Sequence, residues 1–346
     1  MRALVYASPG EAEVRDTDHP VPGPGEVLVR SRVVGVCHSD LELLAGRYII
    51  PVSYPVVPGH EWAGEVAEAG PGVTGFTEGD RVVGECVVGP GGRDHFGFSI
   101  PGAAAEYFTA RAEWLHKLPP GLTFTQGALV EPFTVGYAAV RAAGIDPSDR
   151  VAVLGAGPIG LLAAMAAAGR NANVTVIEPQ AGRRAAALAI GASRTLDPTT
   201  GDASPDDLAD QARELTGGDL FDVVIESAGH PAAMAQALTV AGNHGRIVYV
   251  GIDVGRTVAA ELGLIQARSL RIQGIVGSAG IWPQAIRFLA SGVVDPAPIV
   301  TARYPLDDAA QALKAATPES GNIKVHIETG PSEAAQSEAG QSEAAR

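Results

Sequence analysis

The apolar residues of this chain follow two different patterns, and the change between them falls near residue 150. Before it, short runs of alternating or β-branched residues lie between turns rich in glycine and proline. The runs predict strands at 27–34, 65–69 and 80–84. Frequent turn residues between short strands are typical of a small barrel-like domain with functional loops, so we predict a mostly β first domain.

Beyond residue 150, short apolar runs alternate with helical patterns. Strands are predicted at 151–154, 174–178, 221–226, 245–250 and 269–274. Helices are predicted from the glycine motif described below to about residue 169 and at 183–190, 282–290 and 307–316. Regular alternation of strand and helix predicts a doubly wound parallel sheet, which makes the chain an α/β protein. Residues 331–346 repeat Ser-Glu-Ala-Ala with little apolar bulk and are predicted to be disordered.

A glycine motif follows the first strand of this α/β region and opens a helix. Its residues are Gly155, Gly157, Pro158, Ile159 and Gly160. In this context the first glycine permits a tight turn, the second lets backbone approach a pyrophosphate, and the third lets helix pack on strand. The diphosphate would lie at the positive end of the helix. We predict a dinucleotide site here.

Glu178 ends the next strand, where a carboxylate can accept both hydroxyls of the adenosine ribose. The same carboxylate would repel a 2′-phosphate, so the sequence favours NAD over NADP. Arg183 and Arg184 lie close enough to hold a 2′-phosphate, and this leaves NADP open. The alternative for both arginines is a solvated helix face.

Composition limits the partners and the compartment. A formal net charge of −14 argues against a nucleic-acid footprint or an anionic membrane surface. The two cysteines are too few for a disulfide framework or a four-cysteine structural zinc lobe. The start of the sequence has no apolar core of signal-peptide length, and no run of about 18 apolar residues occurs. We expect a cytoplasmic protein that acts on a small molecule.

The strongest candidate chemistry lies between Cys37 and Glu61. Cys37-His38-Ser39-Asp40 opens this stretch and Pro58-Gly59-His60-Glu61 closes it. A thiolate, an imidazole and a carboxylate together form a suitable set of zinc ligands. Each residue alone has a plainer explanation, since a single cysteine is more often a small buried apolar residue than a ligand. A nicotinamide domain after this cluster indicates a metal-assisted alcohol or carbonyl reaction.

Five stretches carry a resemblance to a known family. The sequence around Cys37 and His60, together with residues 79–82, 127–132 and 154–160, resembles the zinc-dependent medium-chain dehydrogenases. Val130-Glu131-Pro132 resembles the matching segment of the polyol and threonine dehydrogenase branch. The motif Gly59-His60-Glu61-Trp62 resembles that of aminocyclitol (2-deoxy-scyllo-inosamine) dehydrogenases. The resemblance implies a GroES-like catalytic β-barrel at 1–142 and 282–330 and a Rossmann domain at 143–281. It also implies a homodimer or homotetramer formed through the nucleotide-binding domains.

The resemblance also implies roles for individual residues. Cys37 and His60 would bind one catalytic zinc, and Glu61 and Glu131 compete for the third protein position. Ser39 would pass the alcohol proton outward, and Asp40 would orient the site. His38 and Lys324 would lie near the cofactor phosphates. No structural zinc is implied, since the four-cysteine lobe is replaced by the short stretch 87–100, and Cys86 is buried or incidental.

Two other departures from the family pattern concern the proton path and the substrate. Glu42 stands where many relatives end the proton relay with a histidine, so a carboxylate relays the proton or the route differs. Residues 276–280 precede Trp282-Pro283 without the arginine of sorbitol-type enzymes, which argues for smaller walls around the substrate. His95 lies in a loop expected to overhang the substrate.

These observations predict a zinc- and NAD-dependent oxidoreductase that converts a secondary alcohol to a ketone. The substrate class is a polyol, a cyclitol or aminocyclitol, or an amino alcohol, with an activity like that of L-threonine 3-dehydrogenase as an alternative. Two other readings stay open at this point: a zinc-free quinone or enoyl reductase on the same fold, and a non-enzymatic cofactor-binding protein.

Overall fold

The computed structural model describes residues 1–48, 52–200, 205–252, 254–277 and 280–330. The chain divides into two compact units. Unit 1 contains residues 1–131, 282–290 and those from Val300 onward, and unit 2 contains residues 132–281 and 291–299. The division therefore falls inside a helix, about eleven residues before the domain boundary expected at 142/143. The stretch predicted to be a disordered tail, 331–346, lies outside the described residues.

The first 130 residues form mostly strands, as the alternating pattern predicts. The strands are β1 (Arg2–Ser8), β2 (Glu11–Asp16), β3 (Glu26–Val36), β4 (Glu61–Ala69), β5 (Arg81–Gly84), β6 (Val87–Val88), β7 (Asp94–His95), β8 (Tyr107–Arg111) and β9 (Leu115–Lys117). Two short helices, α1 (His38–Leu44) and α2 (Phe124–Ala128), interrupt them. The strands predicted from residues 27, 65 and 80 correspond to β3, β4 and β5.

The next part of the chain alternates strands and helices. Its helices are α3 (Val130–Ala143), α4 (Pro158–Ala168), α5 (Ala181–Ala189), α6 (Pro205–Thr216), α7 (Pro231–Val240) and α8 (Gly263–Ala267). Its strands are β10 (Arg150–Leu154), β11 (Asn173–Ile177), β12 (Arg194–Leu196), β13 (Phe221–Glu226), β14 (Ala241–Tyr249) and β15 (Arg271–Gly274). Within the described residues these strands form one parallel sheet in the order β12-β11-β10-β13-β14-β15, which confirms the doubly wound prediction.

The chain then returns to unit 1 with α9 (Trp282–Ala290), β16 (Val300–Pro305), α10 (Ala309–Ala315) and β17 (Lys324–Glu328). In the described part of unit 1, a seven-stranded sheet runs in the order β16-β17-β3-β4-β5-β9, and β8 pairs with β3. Strand β3 therefore lies between β17 and β4, and both neighbours are antiparallel to it. The candidate ligands described below lie at the end of β3 and the start of β4, and Lys324 begins β17.

Candidate metal centre and dinucleotide site

Three side chains of the predicted ligand set meet in unit 1. One donor atom from each of Cys37, His60 and Glu61 lies within 4.8 Å of the other two. Cys37 directly follows β3, while Glu61 begins β4, with Gly35 of β3 as its antiparallel partner. His60 is 5% exposed and Glu61 is 1% exposed. The antiparallel register of β3 and β4 therefore creates the cluster that the sequence predicted.

Gly35 is required by this geometry. A Cβ atom built on Gly35 would lie 2.2 Å from Oε2 of Glu61, which no real pair of atoms tolerates. The absence of a side chain at this position leaves the space in which the Glu61 carboxylate lies. The cluster thus depends on a glycine that sequence reasoning did not single out.

Asp40 contacts two of the three candidate ligands. Its Oδ2 accepts a hydrogen bond from the Cys37 backbone N at 2.8 Å, and its Oδ1 lies 3.4 Å from Nδ1 of His60. Burial alone would lower the pKa of His60, but the Asp40 carboxylate and the nearby cysteines raise it well above its usual value. A histidine that binds a metal commonly has a carboxylate at its other nitrogen. This arrangement fits the orienting role predicted for Asp40.

Lys324 lies in the same cluster. It is 2% exposed, its Nζ forms an ion pair with the Glu61 carboxylate, and it also donates to the Val36 carbonyl at 3.1 Å. The structure therefore places this ammonium among the metal-ligand candidates. The contact with the cofactor phosphates that the resemblance implied for Lys324 stays a prediction.

Glu131, the other candidate for the third ligand, begins α3 and is not one of the three clustered residues. Burial raises the pKa of Glu131 to about 7, and the carboxylates of Glu61 and Asp40 raise it too. His60 and Lys324 act in the opposite direction. These electrostatic interactions show that Glu131 faces the same buried group of charges.

An aromatic wall, formed by Tyr48 and Phe98, adjoins the cluster. The Phe98 ring centroid lies 4.7 Å from that of His60, and Tyr48 stacks on Phe98 at 4.6 Å with planes 15° apart. Burial raises the pKa of Tyr48 to about 12. Sequence reasoning missed this wall, because its residues carry no motif.

Cys86 and His95 lie close to this region. Cys86 is half-buried, and burial raises the pKa of its thiol to about 12, with smaller effects from His60 and Glu131. Its Sγ lies 3.9 Å from the Phe96 carbonyl, which agrees with a packing role. The backbone N of His95 donates to Ser99 Oγ at 2.8 Å, and its substrate contact stays a prediction.

Helix α1 carries the remaining residues expected near the reaction. Ser39 is half-buried, and no hydrogen bond of its hydroxyl occurs among the residues that the structure describes. The His38 side chain is 68% exposed. Arg47 donates to Glu42 at 2.7 Å, and this hydrogen bond lowers the pKa of Glu42. The part of Glu42 in a proton relay stays a prediction.

The glycine motif in unit 2 has the conformation expected of a dinucleotide loop. Gly155 has a φ of +94°, and a Cβ on Gly160 would lie 2.0 Å from the Gly155 carbonyl oxygen. A Cβ on Gly157 would meet nothing within 4 Å, so open space lies beside the backbone there. Pro158 then begins α4. The loop therefore leaves room where the pyrophosphate is predicted to lie.

Glu178 and the arginines after it differ partly from their predicted roles. Glu178 is 4% exposed, and its two oxygens accept hydrogen bonds from the backbone N of Ala156 at 2.8 Å and of Gln180 at 2.9 Å. The carboxylate thus holds the glycine loop, and its ribose contact stays a prediction. Arg184 is not on a solvated face, because it pairs with Asp197 at 2.9 Å. Arg183 is half-buried.

In the described ranges, no helix is both long and apolar enough to cross a membrane.

Comparisons with known proteins identify the families of both domains. The profile described as "Alcohol dehydrogenase GroES-like domain" matches residues 23–120, and "Zinc-binding dehydrogenase" matches residues 158–291. Sorbitol dehydrogenase of Ovis aries is 33% identical to this chain over 352 residues, covering 96% of this chain and 97% of that protein.

Two solved structures are similar over nearly the whole chain. One is 2R,3R-butanediol dehydrogenase from Bacillus subtilis, with a TM-score of 0.87 and 30% identity, covering 95% of this chain and 99% of that one. The other is a zinc-binding dehydrogenase from Sinorhizobium meliloti bound to NADP, with a TM-score of 0.87, 29% identity and the same coverage.

One unit contains a parallel sheet with a glycine loop, and the other contains a cluster of a thiolate, an imidazole and a carboxylate. Together these features define the class of dinucleotide-dependent dehydrogenases. The chain belongs to the zinc-dependent medium-chain alcohol dehydrogenase family, in its polyol branch. It is an NAD(P)-dependent oxidoreductase of secondary alcohols, and the predicted GroES-like and Rossmann folds are confirmed.

Proposed function

We propose that this enzyme uses one catalytic zinc and NAD to oxidise a secondary hydroxyl of a polyol, cyclitol or amino alcohol to a ketone. The observation that carries the proposal is the buried cluster of Cys37, His60 and Glu61, with donor atoms within 4.8 Å of one another. Soft sulfur, imidazole nitrogen and a carboxylate oxygen are the ligands of catalytic zinc sites. The surrounding Asp40 and Glu131 carboxylates add negative charge that a divalent cation would balance.

Cys37 and His60 would hold the zinc together with a glutamate. Glu61 is the better candidate for this third position because it belongs to the cluster, and Glu131 is the alternative. Zinc bound by such residues supplies Lewis acidity that makes a substrate hydroxyl more acidic. The protein residues then handle the proton and hold the ligands in place.

Ser39 is proposed to move the proton of the substrate. Its Oγ is half-buried beside Cys37 at the start of α1 and would accept the proton before passing it to ordered water or the cofactor ribose. Asp40 would keep His60 in its orientation through the contact between Oδ1 and Nδ1. Bound NAD would accept the hydride as the ketone forms, and the protein would contribute position and electrostatics.

NAD is proposed over NADP. A buried carboxylate at the end of β11, beside the glycine loop, would repel a 2′-phosphate, and this is the position of Glu178. Arg184 is bonded to Asp197 and to the Glu178 carbonyl, so a 2′-phosphate would have to displace these partners. Parallel assays with NAD and NADP test the choice, and a strong NADP preference would overturn it.

The names of the relatives support the substrate class. By these names, one relative acts on sorbitol and another on 2R,3R-butanediol, and both compounds carry hydroxyls on adjacent carbons. We propose that the substrate of this enzyme is likewise a secondary alcohol beside a second polar group. A panel of polyols, aminocyclitols and L-threonine, followed by NADH absorbance, identifies the preferred compound.

Metal analysis with matched cysteine variants tests the zinc. Cys37→Ser should lose zinc and turnover while NADH still binds, whereas Cys86→Ser should keep all three. Full activity of zinc-free protein would instead identify a zinc-free reductase. Glu61→Gln and Glu131→Gln decide the third ligand, because only the variant of the true ligand should lose zinc.

We also propose that the enzyme forms a homodimer or homotetramer through unit 2. Strand β15 is the edge of the parallel sheet, and all four of its residues are exposed. Ile272 in this strand is 42% exposed and Val276 beyond it is 84% exposed. An open edge with apolar side chains suits pairing with a second copy. Ile272→Lys should shift the mass measured by light scattering toward the monomer, and an unchanged mass would contradict this interface.

A further inference from the structure

A buried carboxylate lies directly behind the dinucleotide loop of unit 2. Glu226 is the last residue of β13 and is 0% exposed. Its Oε1 accepts hydrogen bonds from the backbone N of Ala228 at 2.9 Å and of Gly229 at 3.0 Å. Its Oε2 is equally buried and has no hydrogen-bond partner in the part of the chain that the structure describes.

Such a group is costly, because a carboxylate removed from water loses its favourable hydration. Burial raises the pKa of Glu226 to about 6, and the two backbone donors act in the opposite direction. An ionised acceptor forms hydrogen bonds roughly twice as strong as a neutral one. The carboxylate therefore holds the turn 227–229 more firmly than a neutral side chain would.

The turn in question touches the glycine loop. Ser227 Oγ donates to the Leu154 carbonyl at 2.8 Å and to the Gly155 carbonyl at 3.2 Å. A Cβ atom on Gly155 would lie 2.9 Å from the backbone N of Ala228, and a Cβ on Gly160 would lie 2.5 Å from Ser227 Oγ. The loop and the turn are thus in direct contact, and a shift of the turn would move the loop.

The other side of the turn is closed. The backbone N atoms of Val250 and Gly251 donate to the Glu226 carbonyl at 2.8 and 3.1 Å. A Cβ on Gly251 would lie 2.2 Å from the backbone N of Gly229 and 2.8 Å from Oε2 of Glu226. The turn is therefore held between β14 and the glycine loop, with the carboxylate as its internal support.

We propose that Glu226 is a positioning residue of the dinucleotide site, acting through the turn 227–229 on Gly155 and Gly160. The proposal rests on the nicotinamide dinucleotide binding at this glycine loop. Glu226 acts on the cofactor site only through this turn and does not itself contact the cofactor. It sets the backbone against which the loop adopts the shape that receives the pyrophosphate.

The test compares Glu226→Leu with Glu226→Gln in the zinc-loaded, full-length enzyme. Leucine removes both acceptors, so the dissociation constant for NADH, measured by fluorescence titration, should rise about tenfold or more. Glutamine keeps an oxygen for Ala228 and Gly229, so its constant should stay within about threefold of wild type. Glu214→Leu, at an exposed position of α6, is the matched control and should leave the dissociation constant for NADH unchanged.

A purely structural role gives a different result. In that case Glu226→Leu lowers the thermal midpoint of unfolding. Its dissociation constant for NADH, measured below the unfolding transition, then equals that of wild type, and the proposal is overturned. If this variant does not fold, Ser227→Ala decides, since it removes the contact with Gly155 and should weaken NADH binding by about threefold. An unchanged constant there also overturns the proposal. Failure of wild type to bind any nicotinamide dinucleotide would instead refute the assigned dinucleotide site.

Discussion

The ion pair between Lys324 and Glu61 gives the sharpest prediction for stability. Lys324→Met removes the ammonium and leaves the Glu61 carboxylate 1% exposed without its counter-ion. Breaking a buried pair in this way costs about 3–5 kcal/mol. For a unit of this size, that loss corresponds to a fall of roughly 6–20 °C in the thermal midpoint.

Tryptophan fluorescence isolates the relevant unit. The three tryptophans of the chain, Trp62, Trp114 and Trp282, all lie in unit 1. Thermal or denaturant unfolding followed by fluorescence therefore reports on the unit that contains the ion pair. The measurement should be made on zinc-stripped protein and repeated with zinc, since a cation at Glu61 would take over part of the role of the ammonium and reduce the loss.

Two controls separate the pair from general effects of the substitution. Lys117→Met removes a 56% exposed lysine from its pair with Asp80 and should cost less than about 1 kcal/mol. The double variant Lys324→Met/Glu61→Gln removes both charges and should recover much of the lost stability. A zinc-stripped Lys324→Met whose midpoint lies within about 2 °C of wild type would refute the reasoning.

Three further substitutions test other parts of the structure. Gly35→Ala places a methyl group against the Glu61 carboxylate, so zinc content by elemental analysis should fall while NADH binding persists; unchanged zinc would contradict this. Burial, followed by two neighbouring cations, holds the pKa of His326 well below its usual value, so the native state resists a proton that the unfolded chain accepts. Wild type should therefore lose stability as pH falls below about 6.5, by up to about 1.4 kcal/mol per pH unit, and His326→Leu should lack this component. Superimposable acid profiles would argue against it. Glu178→Ser should raise the KM for both cofactors, because Ala156 loses an acceptor, yet increase kcat/KM for NADP relative to NAD; a constant ratio would exclude the predicted charge repulsion.

The buried strands of unit 2 could be predicted because parallel strands covered on both faces read as short apolar runs. Strand β2 was not predicted, since Ala12 and Val14 are the only apolar residues of Glu11–Asp16 and both are only half-buried. The helix expected at 307–316 is split in the structure into a 3₁₀ turn, Leu306–Asp308, and α10. Local pattern thus located the buried strands of unit 2 but did not give the limits of α10.

The candidate ligands were predictable for a related reason, because each lies in a local motif. Of the support around them, the role of Asp40 was predicted, whereas the ion pair of Lys324 and the aromatic wall were not. Lys324 reaches Glu61 only through the pairing of β17 with β3, where Val325 lies opposite Val36. The aromatic wall of Tyr48 and Phe98 likewise joins two loops to His60. Contacts between distant segments depend on sheet register, which a single sequence does not contain.

The choice between Glu61 and Glu131 shows what that missing information decides. Both are glutamates in well-defined motifs, so their chemistry alone cannot rank them. In the fold, Glu61 lies with Cys37 and His60 but carries its own counter-ion in Lys324, so a metal must compete with that ammonium. Glu131 is not one of the three clustered residues, and the charge of Lys324 acts on it together with that of His60. The lysine on β17, and not either glutamate, therefore sets how readily Glu61 can serve as the third ligand.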